Sequence, residues 1–131
     1  MDKPIFNVVP QFMGLTTVQM NEGFTQLLYD FLTYDKEIPR EIRALSDKLM
    51  RPGTWTDRES SIMMSTDKLN GVTSLVINSR MIASVIRFIK SYEDVDVEVW
   101  ALVQALKNPH GCYENRFKKK EDSEEVPSHT W

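Results

Sequence analysis

Cysteine and histidine are nearly absent from this sequence, and their scarcity excludes several kinds of protein. The 131 residues include one cysteine, Cys112, and two histidines, His110 and His129. An intrachain disulfide framework needs at least a pair of cysteines, and a structural zinc site needs several Cys or His ligands. We therefore expect no disulfide scaffold, no metal centre and no cofactor.

Long hydrophobic stretches are missing as well. A membrane-spanning helix needs about 20 mainly apolar residues, whereas the longest candidate, residues 72–89, is interrupted by Arg80 and Arg87. Near the N-terminus, Pro4 and Pro10 break the apolar region that a signal peptide requires. Together with the lone cysteine, these features predict a cytoplasmic protein, in a cell or in an infected host cell.

Motifs that carry catalysis or nucleotide binding are also lacking. The five glycines are scattered and form neither a phosphate-binding loop nor a dinucleotide fingerprint. His110 and Cys112 are close in sequence, but no orienting group or oxyanion motif accompanies them. Asp94, Asp96 and Glu98 have the position of charges at a helix start rather than of paired acid–base catalysts. These absences predict that the protein is not an enzyme.

The apolar side chains that are present suffice for one folded domain. Apolar residues make up 41% of the chain and aromatic residues 10%, and the formal net charge is −3. A disordered chain lacks this content of large apolar groups, and one domain is usual for a chain of about 100–150 residues. We predict a single helical domain over 1–108 with an extended N-terminal arm over 1–15. A charged, flexible tail is predicted over 109–131.

The spacing of apolar residues predicts an all-α fold, a compact bundle of about five helices. The predicted helices cover residues 17–33, 39–50, 57–70, 73–91 and 95–106. Thr16 with Gln19 and Thr56 with Glu59 have the capping-box spacing expected at the starts of the first and third helices. Pro39 suits the first position of the second helix.

Residues 61–77 leave an alternative open. The dipeptide at 70–71, Asn-Gly, is a strong signal for a two-residue hairpin turn, which would make the fold α+β. The flanking residues at 62–64 and 75–77 are continuously apolar instead of alternating. Helices are therefore the preferred interpretation of this region.

A helix over 73–91 would carry a face of positive charge and hydroxyl groups. No acidic residue occurs between 68 and 92. The predicted phosphate- or partner-binding residues are Arg80, Ser84, Arg87 and Lys90, the last at the margin of the face. Arginines and hydroxyls in this arrangement can hold phosphate oxygens. The alternative is a face that is merely solvated, or paired with the acidic residues of 93–98.

Apolar side chains beyond the needs of a small bundle suggest a protein interface. The predicted interface residues are Trp55, Met63, Met64 and Trp100. Methionine and tryptophan suit adaptable or central interface positions, although the same residues equally fill cores.

These observations predict a non-enzymatic helical protein with a regulatory or accessory role, of the kind that viruses and phages also encode. It would bind another protein and itself, as a homodimer. The alternative is a nucleic-acid-binding regulator that uses Arg80, Arg87 and Lys90, against which the overall acidity argues. Neither a membrane nor a small-molecule substrate is implied.

Overall fold

The computed structural model describes residues 3–10 and 12–108, which form an α+β fold. The elements are β1 (Phe6–Pro10), β2 (Leu15–Met20), α1 (Glu22–Leu32), α2 (Arg40–Met50), β3 (Gly53–Asp57), β4 (Ile62–Leu69), β5 (Val72–Asn78), α3 (Ser79–Lys90) and α4 (Val97–Lys107). A short 3-10 helix, Phe12–Gly14, lies between β1 and β2. The predicted all-α helical bundle is therefore wrong, because the strands form one five-stranded sheet. The predicted tail over 109–131 lies outside the described residues.

The sheet is antiparallel throughout, with the strand order β1-β2-β5-β4-β3. The hairpin that was the alternative for residues 61–77 is present as β4 and β5. Its turn is formed by Asn70 and Gly71, whose φ angles are 54° and 79°. Both angles lie in the left-handed region, as a two-residue hairpin turn of the primed type requires. The third predicted helix, over 57–70, is wrong for this reason.

The first predicted helix is wrong over its first turn. Thr16 lies in β2, where a run of β-branched residues favours a strand, and so it does not cap a helix. The helix begins instead after Asn21, whose side-chain oxygen accepts a hydrogen bond from the Phe24 amide at 2.9 Å. The same oxygen accepts from the Ile5 amide at 3.0 Å, so this cap also holds the N-terminal segment beside α1.

Two of the predicted helices are confirmed, and a third is shortened. α2 follows Pro39 directly, and α4 begins after Asp96, whose carboxylate accepts a hydrogen bond from the Glu98 amide. The segment predicted as one helix over 73–91 divides at Asn78, where β5 ends and α3 begins.

The hydrophobic core lies between the helices and one face of the sheet. Burial alternates along the strands: in β4, Ile62 and Met64 are buried while Met63 is exposed. Such alternation follows from the two-residue period of a strand. Among the most deeply buried helical side chains are Phe24, Leu28, Leu45, Leu49, Met81 and Ile89. The outward face of the sheet leaves Val9 and Val72 exposed.

Three aromatic rings hold the end of α3 against α1. The Tyr92 ring lies 5.3 Å from the rings of both Phe31 and Phe88, measured between centroids. Its hydroxyl donates a hydrogen bond to the carboxylate of Asp35, in the loop after α1. This hydrogen bond, together with burial, raises the pKa of Tyr92 to about 12.

We expect Tyr92→Phe to weaken folding and to flatten its alkaline pH dependence. The folded state favours the neutral phenol, so the stabilisation is complete below pH 10.0, the ordinary pKa, and is lost as the pH rises toward 12. The hydrogen bond is exposed, so its removal should cost only about 0.5–1 kcal/mol at neutral pH. Urea unfolding of both proteins at neutral and alkaline pH measures this. Identical pH dependence in the two proteins would contradict it.

Candidate functional site

A cleft with three arginines lies where α2, α3 and the turn between β3 and β4 meet. Its volume is about 340 Å³. The residues that line it are Arg40, Glu41, Asp57, Ser60, Ile62, Arg80, Ala83, Ser84 and Arg87. We call this site the arginine cleft. Three of the four residues that the sequence predicted for phosphate or partner binding lie in it.

The start of α3 fixes one wall of the cleft. The side-chain oxygen of Asn78 accepts a hydrogen bond from the Met81 amide at 3.0 Å, which sets the first turn of the helix. From this start, residues 80, 84 and 87 recur at helical spacing and share one side. The Asn78 amide group also donates to the carbonyl oxygen of Ser61 at 2.8 Å. One side chain therefore joins the start of α3 to the β3–β4 turn.

The opposite wall is held by the carboxylate of Asp57, at the end of β3. It accepts hydrogen bonds from the Ser60 hydroxyl at 2.8 Å and from the Glu59 amide at 3.2 Å. The guanidinium group of Arg40 forms an ion pair with the same carboxylate. The Ser60 hydrogen bond, and after it the contact with Arg40, hold the pKa of Asp57 below its ordinary value of 3.8. Arg40 is thus fixed at the cleft by an ionised partner.

The arginines on the α3 wall have no such partner among the described residues. Arg80 and Arg87 are exposed, and neither forms an ion pair with any residue in 3–10 or 12–108. The acidic residues of 93–98 therefore do not neutralise this face, although they follow it in sequence. Between the two arginines, Ala83 and Ser84 line the cleft, and Ser84 is 7% exposed.

The chemistry of this arrangement is that of an anion site. A guanidinium group donates pairs of parallel hydrogen bonds to the oxygens of a carboxylate or phosphate. The guanidinium groups of Arg80 and Arg87, two helical turns apart and with Ser84 between them, can surround one such group. Asp57 and Glu41 reduce the positive charge of the cleft, so it suits a single anionic group better than a polyanion.

The remaining predicted residues are dispersed. Lys90 lies on the last turn of α3 and is not among the residues that line the cleft. Met64 is fully buried within the described chain, and its cross-strand partner Trp55 is partly buried on the same face. Met63 points to the opposite face, and Trp100 is exposed on α4. His110 and Cys112 lie outside the described residues.

A larger groove between α1 and α2 is less suited to binding. Its volume is about 470 Å³, and both of its arginines already have partners in the chain. Arg43 donates to the carbonyl oxygen of Lys36 at 3.3 Å, and Arg51 lies 3.7 Å from the carboxylate of Asp47. The arginine cleft is therefore the better candidate site.

Comparison with known proteins adds no relative from which a function could be transferred. No protein-family model, curated protein or solved structure matches the chain. Within the described part of the chain, no three His, Cys, Asp or Glu residues come together as metal ligands would. Among the helices of that same part, none has the length and apolar character needed to cross a membrane.

The sequence alone did not reveal Arg40, Asp57 and Ser60 as members of the site. Arg40 and Asp57 are 17 positions apart, and their contact depends on how α2 packs beside β3. The available signal was the Asp57–Ser60 spacing, which is typical of a side chain that caps a turn. That spacing predicts a turn but gives no indication that Arg40 lies beside it.

Proposed function

We propose that this protein is a non-enzymatic binding protein that recognises a protein partner through an anionic side chain, phosphorylated or carboxylic, held in the arginine cleft. The observation that carries the proposal is the pair of exposed arginines on α3, Arg80 and Arg87, which lack an ionic partner in the described chain. Arg40, already fixed by Asp57, provides a third guanidinium group at the same cleft. A regulatory or accessory role in a cytoplasm is part of this proposal.

A protein partner is favoured over nucleic acid by the shape and charge of the surface. Nucleic acid is held by an extended series of phosphate contacts along a basic stripe. Here the cations converge on one cleft, where Glu41 and Asp57 accompany them, and Lys90 lies outside it. The chain as a whole carries a net charge of −3. One anionic group on a protein surface matches these features more closely than a duplex does.

Removing both unpaired arginines tests the proposal. We expect Arg80→Ala combined with Arg87→Ala to weaken the binding of O-phosphoserine, and of a short phosphoserine peptide, by about tenfold or more. The reason is the loss of charge-assisted hydrogen bonds to the phosphate oxygens. Isothermal titration calorimetry at low and moderate salt measures the affinity.

Lys90→Ala is the matched control because it removes one positive charge from the same helix but outside the cleft. It should change the affinity by less than about twofold. If the two variants lost the same amount of affinity, the binding would depend only on general surface charge. That result would contradict the proposal. Tighter, strongly salt-dependent binding of labelled DNA or RNA than of the peptide would replace the protein partner with a nucleic acid.

A further inference from the structure

The strand β3 forms an open edge of the sheet. In the strand order, β3 is outermost and pairs with β4 on one side, and no described residue pairs with its other side. An unpaired edge presents backbone donors and acceptors to any strand that can align with it. The edge also includes Trp55, one of the residues that the sequence predicted for a protein interface.

The backbone groups that face outward can be identified from one contact. The Gly53 amide donates a hydrogen bond to the Thr66 side chain on β4 at 3.1 Å, so Gly53 turns its backbone groups toward β4. Because N–H and C=O groups alternate in direction along a strand, Trp55 and Asp57 do the same. The amide and carbonyl groups of Thr54 and Thr56 therefore point away from the sheet.

The usual protection of an exposed edge is weak at β3. Natural edges are commonly blocked by proline, lysine, a bulge or an inward-pointing charge. The other edge strand, β1, ends in Pro10, whereas β3 contains neither proline nor lysine. Its one charged residue, Asp57, is already committed to Arg40 and Ser60 at the arginine cleft. The segment Thr54–Trp55–Thr56 consists of residue types that favour strands.

We infer that β3 pairs antiparallel with β3 of a second copy, so that two sheets join into one. A two-fold axis at Trp55 places Thr54 opposite Thr56 of the other copy, and Thr56 opposite Thr54. Each outward-facing backbone group then meets an outward-facing group, which no neighbouring register achieves. Shifting the axis to Thr54 would place Thr56 opposite Pro52, which has no amide hydrogen. Shifting it to Thr56 would place Thr54 opposite Arg58, in the turn.

Charge and side-chain pairing favour a second copy over an unrelated strand. In this register Asp57 lies opposite Gly53, so the strand's only charge does not meet itself. The two Trp55 rings meet across the axis, and aromatic and Thr–Thr pairs are favourable between neighbouring strands. The edge therefore pairs with itself without bringing like charges together.

This pairing is independent of anion binding, although it would bring the two arginine clefts to the same side of the dimer. Asp57 ends β3 two positions from the axis, so each cleft would open beside the junction of the sheets. Loss of anion binding would leave the dimer intact, and loss of the dimer would leave each cleft complete.

Charge substitutions at the two threonines test both the edge and its register. In Thr54→Lys combined with Thr56→Lys, each new lysine lies opposite a new lysine of the other copy. We therefore expect the dimer dissociation constant to rise at least tenfold. Thr54→Lys combined with Thr56→Glu sets opposite charges together, and we expect the dimer to persist. Both side chains are exposed, and Thr54 loses only an exposed hydrogen bond to Ser65. Circular dichroism checks that each variant folds.

Sedimentation equilibrium over a concentration series, under reducing conditions, gives the oligomeric state. An equimolar mixture of the double-lysine variant with Thr54→Glu, Thr56→Glu should form mixed dimers. A wild-type chain that stays monomeric would overturn the inference. So would a double-lysine variant that dimerises like the wild type, or a lysine–glutamate variant that dissociates as readily as the double-lysine one.

Discussion

Replacing Met64 with alanine is expected to lower the free energy of unfolding by about 2–5 kcal/mol. Met64 is fully buried on the helix-facing side of β4, where it lies beside Trp55 of β3 and Ile77 of β5. Shortening the side chain removes apolar contacts and leaves a cavity that the flanking strands cannot close without distorting the sheet. Urea unfolding followed by circular dichroism measures the change.

Met63→Ala is the matched control, because the same residue type is replaced one position earlier. Met63 is 39% exposed on the opposite face of the sheet, and its replacement should change stability by less than about 0.5 kcal/mol. The contrast tests the alternation of β4 directly. Comparable losses in the two variants would contradict the placement of this segment as a strand with one buried face.

The second large effect is expected at Asn78. Asn78→Ala removes the cap of α3 and the hydrogen bond to the Ser61 carbonyl, and should lower the free energy of unfolding by about 1–3 kcal/mol. The effect exceeds that of an ordinary cap because the side chain also fixes the β3–β4 turn. Thermal and urea unfolding measure it.

Asn78→Asp separates the two roles. Aspartate caps a helix as well as asparagine does, but its carboxylate cannot donate to the Ser61 carbonyl. We expect this variant to lie between the wild type and Asn78→Ala. A loss in Asn78→Asp equal to that in Asn78→Ala would contradict the expected benefit of the retained cap.

Helices could be predicted from the sequence where the spacing of their apolar residues fits a helix and not a strand. α2 and α4 are bounded by Pro39 and Asp96, and local signals suffice for them. β2 could not be recognised in this way, because Thr16 and Gln19 have the spacing of a capping box. In the strand these two residues face opposite sides, and pairing with β5 decides the outcome. That pairing joins Val18 to Leu75, a contact that no local pattern contains.

The continuous apolar run at 62–64 misled the prediction for a related reason. A strand whose outward face is partly apolar has no visible alternation, so Met63 conceals the two-residue period of β4. The turn at Asn70 and Gly71 was the reliable signal, since both residues adopt the left-handed conformation there. The same alternation places the side chains of Met63 and Met64 on opposite faces of the sheet.

The candidate site could be predicted in part. Arg80, Ser84 and Arg87 required only that their segment be helical, and α3 begins just before the first of them. Arg40 and Asp57 are brought to the cleft by the packing of α2 against β3, which local periodicity does not determine. Sequence reasoning thus identified one wall of the cleft, and the fold supplied the other.

The arginine cleft is where we expect an anion to bind. Titration of ¹⁵N-labelled protein with O-phosphoserine, followed by heteronuclear NMR, locates the site residue by residue. We predict saturable shifts concentrated at Arg40, Ser60, Arg80, Ser84 and Arg87, with small changes at Lys90 and at the exposed Lys68. Absence of saturable shifts, or equal shifts at all lysines and arginines, would contradict the assignment of the cleft as a binding site.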